Sequence, residues 1–150
     1  METLVRRLVR RWKTPKTKNV KAASGRDVRR MDLLETALEA WVARKAYRTP
    51  ARTIGEVAEQ LDTDSVLLYH YFHDRLHTDF RTWRTRLRLE DAKRLLLEEP
   101  AVYAADIGRR VGFSNRSNFS RQFLAYTGFT PGQWRERAGT SPDVPAPKRL

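Results

Sequence analysis

The chain repeats itself. Val57-Ala58-Glu59-Gln60-Leu61 aligns with Ile107-Gly108-Arg109-Arg110-Val111 at an offset of 50. Leu68 and Phe72 align with Phe119 and Phe123 at 51, and Trp83-Arg84-Thr85-Arg86 with Trp134-Arg135-Glu136-Arg137 at the same 51. The one-residue slip falls inside a turn, where an extra residue is cheapest. Each copy reads as a helix, a tight turn, a second helix and an aromatic-anchored third. A small residue, Ala58 or Gly108, stands in the first helix of each pair. Two helices crossing at about 90–120° need such a contact. A glycine there loses about 1 kcal/mol of helix propensity against alanine, which close packing can offset. Two such units in register, each followed by Trp-Arg-x-Arg, dictate an all-α fold: two helix-turn-helix subdomains joined by a long linker helix.

About seven helices are expected. The first follows Asp32 as its cap, with Leu33, Leu34, Ala37, Leu38, Trp41 and Val42 on one apolar stripe, and stops at Thr49-Pro50. The second opens on Thr53-Ile54-Gly55-Glu56, a capping box, and ends near Leu61. Asp62-Thr63-Asp64 caps a third from Ser65 to about Arg75. A long helix over roughly 80–97 buries Trp83, Leu87, Ala92, Leu95 and Leu96 and carries arginines on its other faces, until Pro100 ends it. A fifth covers about Tyr103 to Val111 and closes on Gly112, suited to a left-handed cap. A sixth follows Ser114-Asn115 and stops at Thr127-Gly128. A seventh starts at Thr130-Pro131, a cap followed by proline in the first helical position.

Charge is uneven. Residues 1–30 hold eleven Lys/Arg and two acids, a net +9, which leaves +3 of the total +12 for the other 120 residues. Such a balance favours polyanions, nucleic acid first and anionic membrane surface second. Lys13 to Arg30 has few large apolar residues and reads as a disordered basic arm. Within residues 1–12, Leu4, Val5, Leu8, Val9 and Trp12 lie at helical spacing among arginines. They are either a short amphipathic helix or a frayed chain start. The expected domains are a basic flexible arm (1–30), a first helix-turn-helix subdomain (31–78), a linker helix (79–98), a second subdomain (99–138) and a flexible tail (139–150). No cysteine is present, which excludes disulfides, thiolate metal sites and cysteine nucleophiles and fits a cytoplasmic setting. No apolar run is long enough to span a bilayer, so stable membrane insertion is not expected.

The second unit resembles the C-terminal DNA-binding domain of the AraC/XylS family of bacterial transcription regulators. The resemblance rests on Ile107-Gly108-Arg109-Arg110-Val111-Gly112-Phe113-Ser114-Asn115-Arg116-Ser117-Asn118-Phe119-Ser120-Arg121-Gln122-Phe123, then Thr127-Gly128-Phe129-Thr130-Pro131. The linker is similar too, through Arg86-Leu87-Arg88-Leu89, Ala92 and Leu95-Leu96, and the likeness covers roughly residues 33–137. The first unit departs at Leu76-His77, where the family often has Thr-Gly, so a histidine is expected in a left-handed conformation. Residues 1–30 do not resemble the sensor domain many members carry. Either the protein acts without its own sensor, or the chain is part of something longer.

The resemblance implies sequence-specific binding of double-stranded DNA, with the second helix of each unit in successive major grooves about one turn apart. It places Arg116, Ser117, Asn118, Ser120 and Arg121 on the exposed face of the second recognition helix, with Phe119 and Phe123 inward. Arginine can donate twice to guanine and asparagine can pair with adenine; for Arg121 the alternative is a phosphate contact. The matching positions of the first recognition helix are Ser65, Val66, Tyr69 and His70, poorer readers, so the second unit is expected to supply more base readout. RNA polymerase is a candidate second partner. No cofactor, metal or enzymatic activity is expected. His70, His73, His77 and Asp74 form the one cluster worth testing as a metal site, and solvated or phosphate-facing histidines explain it better. The competing function is a non-specific DNA-binding or anionic membrane-surface protein driven by the basic arm.

Overall fold

The computed structural model describes residues 25–49 and 53–138. The amphipathic stretch at 1–12, the arm as far as 24 and the tail lie outside them. The described residues are helical without strands: α1 Gly25–Ala43, α2 Ile54–Gln60, α3 Ser65–His70, α4 Phe80–Glu98, α5 Ala104–Arg110, α6 Arg116–Thr127 and α7 Pro131–Ala138. A short 3-10 turn covers Ala46–Arg48, and α3 runs on into one π-helical turn, Tyr71–Arg75. Two compact units result. One takes the described residues within Met1–Ala46 and Ala51–Trp83, the other those within Tyr47–Pro50 and Arg84–Leu150. The helix α4 starts in the first and ends in the second.

In the first unit, α1 begins at Gly25, well before the Asp32 expected to cap it, so residues 25–30 belong to a helix rather than to a disordered arm. The signal was there. Val28, Met31, Leu34, Leu38 and Trp41 recur at helical spacing, Asp27 sits favourably in the first turn, and Arg30 pairs with Asp64 at 3.1 Å. The helix ends at Ala43, short of Thr49-Pro50, because Lys45 turns to a φ of 58°. Leu33, placed on the apolar stripe, instead faces solvent at 67 % exposure. The unit closes on aromatic rings: Trp41 stacks on Trp83 at 6.1 Å, and Phe72 packs against Trp83 at 5.0 Å and Phe80 at 5.6 Å. The Trp41 indole N–H donates to Gln60 Oε1 at 3.0 Å, and the Tyr71 hydroxyl to Glu35 at 3.3 Å. Burial, then the charge of Glu35, pushes the Tyr71 phenol above its usual range.

The caps read for α2, α3, α6 and α7 form; the Asp32 cap does not, since that residue lies inside α1. Thr53 and Glu56 make both bonds of the capping box. Asp64 accepts from the Leu67 amide and Asn115 from the Asn118 amide, each satisfying an orphan amide of its helix. Thr130 and Gln133 exchange bonds at the start of α7. Both turns hold a residue at positive φ, Asp62 at 51° and Gly112 at 110°, an offset of 50; both recognition helices leave through another, His77 at 48° and Gly128 at 80°, an offset of 51. The extra residue of the second unit therefore lies between Gly112 and Asn115. His77 does adopt the left-handed conformation.

The second unit packs Leu89, Ala92, Leu95 and Leu96 of α4 against Ile107, Val111, Phe113, Phe119 and Phe123. In α4, Arg88, on a face the sequence reading gives to arginines, and Asp91 are buried at 8 % and 4 % exposure. Arg88 donates from Nε to the Tyr47 carbonyl at 2.6 Å and from Nη2 to the Thr49 carbonyl at 2.8 Å. Asp91 accepts from the Tyr47 hydroxyl at 2.9 Å, Arg48 Nε at 2.7 Å and Arg94 Nη2 at 2.9 Å. Burial, then the charge of Arg84, pushes the Arg88 guanidinium down to about 10. It remains a cation at neutral pH. From α7, Arg135 ties the end of α4 by donating to the carbonyls of Leu96 (2.9 Å) and Val102 (2.7 Å).

The contact expected at the small residue is tight. A Cβ on Gly108 would lie 2.6 Å from Phe119 Cδ1, and Phe119 is only 1 % exposed. The first unit has Ala58 and Leu68 at the matching positions, both buried. Larger helix residue goes with smaller recognition-helix residue, and the reverse. Gly108→Ala should therefore destabilise by about 1–3 kcal/mol through overpacking, despite its better helix propensity. Adding Phe119→Leu should recover part of that loss. Urea unfolding of both single variants and the double variant measures the coupling; additive effects would show that the ring and the glycine do not compete for one space.

Candidate nucleic-acid interface

The second helix of each helix-turn-helix unit, α3 or α6, is built as a two-faced rod. In α6 the inward face is Phe119 and Phe123, whose rings lie 5.6 Å apart, with Phe113 at 5.3 Å from the first and Trp134 at 6.1 Å from the second. That anchoring turns the opposite face outward. Arg116, Ser117 and Arg121 are exposed, and Asn118 and Ser120 are half-buried. Asn118 Oδ1 already accepts from Arg121 Nη2 at 3.1 Å and from Gln122 Nε2 at 2.8 Å. A bidentate bond to adenine would need that carbonyl to exchange partners. Gln122 was not singled out in the sequence, although it lies one turn from Asn118. Beside α6 runs a groove lined by Tyr103, Arg109, Arg116, Ser120, Thr130 and Pro131. Arg109 is paired with Asp106.

In α3 the inward face is Leu68, with Tyr71 and Phe72 in the π turn. Ser65, Val66, Tyr69 and His70 all face solvent, Val66 at 63 % and Tyr69 at 54 %. Val66 therefore has no part in the core. His70 and His73 both bond to Asp74. The hydrogen bond from His73 is the chief influence holding the Asp74 carboxyl below the usual range. Among the described residues, no group of three or more His, Asp or Glu side chains is arranged to hold a metal ion. No described helix is long and apolar enough to cross a membrane. The residues expected to point outward are exposed except Asn118 and Ser120, and the bonds from Gln122 and to Asp74 on these faces lie beyond the sequence reading.

A helix-turn-helix domain family model matches residues 57–137, more than half of the chain. The chain belongs to the AraC-type helix-turn-helix family. Over 82 residues it is 35 % identical to the arabinose operon regulatory protein of Salmonella typhimurium, covering 55 % of this chain and 29 % of that protein. Over 88 residues it is 33 % identical to the raffinose operon transcriptional regulatory protein of Pediococcus pentosaceus, covering 58 % of this chain and 31 % of the relative. The chain thus spans under a third of the length of these curated relatives. Among solved structures it is similar to the C-terminal domain of AraT, a response regulator from Geobacillus stearothermophilus. The TM-score is 0.61 at 28 % identity, covering 70 % of this chain and 84 % of the other. A Chromobacterium violaceum transcriptional regulator with an AraC-type DNA-binding domain shares the fold, with a TM-score of 0.63 at 21 % identity, over 75 % of this chain and 97 % of that one. The matched span of this AraC-type chain holds the second helix of both helix-turn-helix units, α3 and α6.

Proposed function

We propose that this AraC-type chain is a transcriptional regulator that binds duplex DNA sequence-specifically, with α3 and α6 reading successive segments of the major groove. One observation carries this reading: in each helix-turn-helix unit, the second helix keeps an outward face of polar and small apolar side chains opposite a buried anchor. Arg116 and Arg121 supply the strongest guanine or phosphate donors of the two faces, and Val66 and Tyr69 offer a methyl and a hydroxyl contact. We therefore assign most direct base readout to α6. The basic N-terminal residues add salt-dependent affinity without sequence preference. A cytoplasmic location follows from this role, and RNA polymerase is the second partner it calls for.

The test compares an operator selected from random DNA with unselected duplex, near physiological salt. A specific regulator gives an affinity ratio of about 10³ or more. A ratio near one assigns the binding to charge alone, and the function becomes that of a non-specific DNA or membrane-surface binder. Arg121→Ala should relax preference at one base position by about 1–3 kcal/mol if it reads guanine. A uniform loss across all sequences would make it a phosphate contact instead.

A further inference from the structure

The outward face of α3 holds an arrangement that general affinity for DNA does not require. Asp74, in the π turn that continues α3, meets His70 Nδ1 at 3.0 Å with one carboxylate oxygen and His73 Nδ1 at 2.9 Å with the other. Tyr69 lies nearly parallel to the His73 ring, 13° off with centroids 5.6 Å apart, and edge-on to His70 at the same separation. The side chains of His70, His73 and Asp74 are 53, 65 and 59 % exposed, so all three are open to a ligand.

Chemistry fixes the proton positions. An ionised carboxylate only accepts hydrogen bonds, and the two imidazoles hold Asp74 in that form. Both Nδ1 atoms must then be the donors. The remaining ring nitrogen, Nε2, is an acceptor in a neutral imidazole and a donor in an imidazolium. Its chemical character therefore inverts with protonation, while the ring stays tethered through Nδ1. The side chains that act most on Asp74 are these two imidazoles; the neighbouring Arg75 acts on the buried Tyr71.

We propose that Asp74 is a positioning residue that sets the base preference of α3. With neutral rings, His70 and His73 turn Nε2 acceptors toward the groove and select the amino groups of adenine or cytosine. With protonated rings, they present donors and select guanine N7 and O6. This inference rests on the DNA-reading function proposed above.

Sites are selected from random duplexes of about 40 base pairs, enough for two major-groove segments, at about pH 8 and again at about pH 5.5. The full chain is compared with Asp74→Ala and with a His70→Ala, His73→Ala double variant. Base positions whose preference vanishes in the double variant are assigned to α3. At those positions the preference should move from adenine or cytosine to guanine by about tenfold as pH falls, within the range of a single base contact. Positions read by α6 should not move, and Asp74→Ala should lose the shift. Nitrogen-15 shifts of the imidazoles at about pH 8 give a second readout: Nδ1–H tautomers in the full chain, mixed tautomers in Asp74→Ala. Enrichment with the same α3 preference at both pH values, or an undiminished shift in Asp74→Ala, overturns the proposal alone. No enrichment at either pH overturns the DNA-reading function together with it.

Discussion

Gly112→Ala is expected to remove about 3–5 kcal/mol of stability from the second unit, adding steric overlap to backbone strain. Gly112 has a φ of 110°, a region that L side chains rarely adopt. The space is also taken. A Cβ there would lie 2.4 Å from the Arg48 carbonyl oxygen and 2.7 Å from Arg88 Nε. The first is backbone. The second belongs to a buried guanidinium already bonded to two carbonyls, so neither can step aside without breaking other bonds. The loss should appear as a fall of the thermal midpoint by about 10 °C or more. Gly132→Ala is the control: nothing lies within 4 Å of its Cβ position, and it should stay within about 1 kcal/mol of the parent. Equal midpoints for the two variants would mean that the 47–49 segment does not press on the turn in solution.

Asp91→Ala should also be damaging, at about 1–3 kcal/mol, because it strands the buried Tyr47 hydroxyl, while Arg48 and Arg94, 24 and 44 % exposed, keep partial access to water. The carboxylate is 3 % exposed while serving Tyr47, Arg48 and Arg94. Burial by itself would raise its pKa, but the hydrogen bonds from Arg48, Tyr47 and Arg94 outweigh this and hold the group below the usual range. The sign of the pH effect follows. A depressed carboxylate contributes stability that is complete above its unfolded value, about 3.9, and disappears as pH falls through the lower folded value. Asp91→Asn lacks that titration. The stability gap between it and the parent should be constant at neutral pH and shrink below about pH 4. Urea midpoints measured across that range decide the matter; a gap that stays fixed in acid would mean that Asp91 contributes shape rather than charge.

The features that sequence made legible are those with a local cause. Thr53 with Glu56, Asp64, Asn115 and Thr130 announce their helices because a cap needs only its own turn. His77 could be foreseen in a left-handed exit because the repeat lays it on Gly128. Phe119 and Phe123 fixed which side of α6 faces out, and hence where Arg116 and Arg121 stand. What stayed hidden depends on partners distant in the chain. Arg88 and Asp91 look like the solvated face of a helix until residues 47–49 come to rest on them. Composition misled at residues 25–30, where arginines outnumber apolar residues but Asp27 sits in the first turn of α1 and Arg30 pairs with Asp64. Sequence offers Asp74 only as a metal ligand, whereas its bonds go to two imidazole rings.

The Phe119 ring that leaves no room for a Cβ on Gly108, set against Ala58 and Leu68 at the matching positions, makes the halves non-interchangeable at the level of single helices. A chimera that grafts α6 onto the α2 scaffold would drive a phenyl ring into a methyl group, and the opposite graft would leave a void beside glycine. Retargeting such a protein by module exchange must therefore move each helix pair as a unit, turn included, while edits confined to the solvent face of α3 or α6 leave the joint untouched.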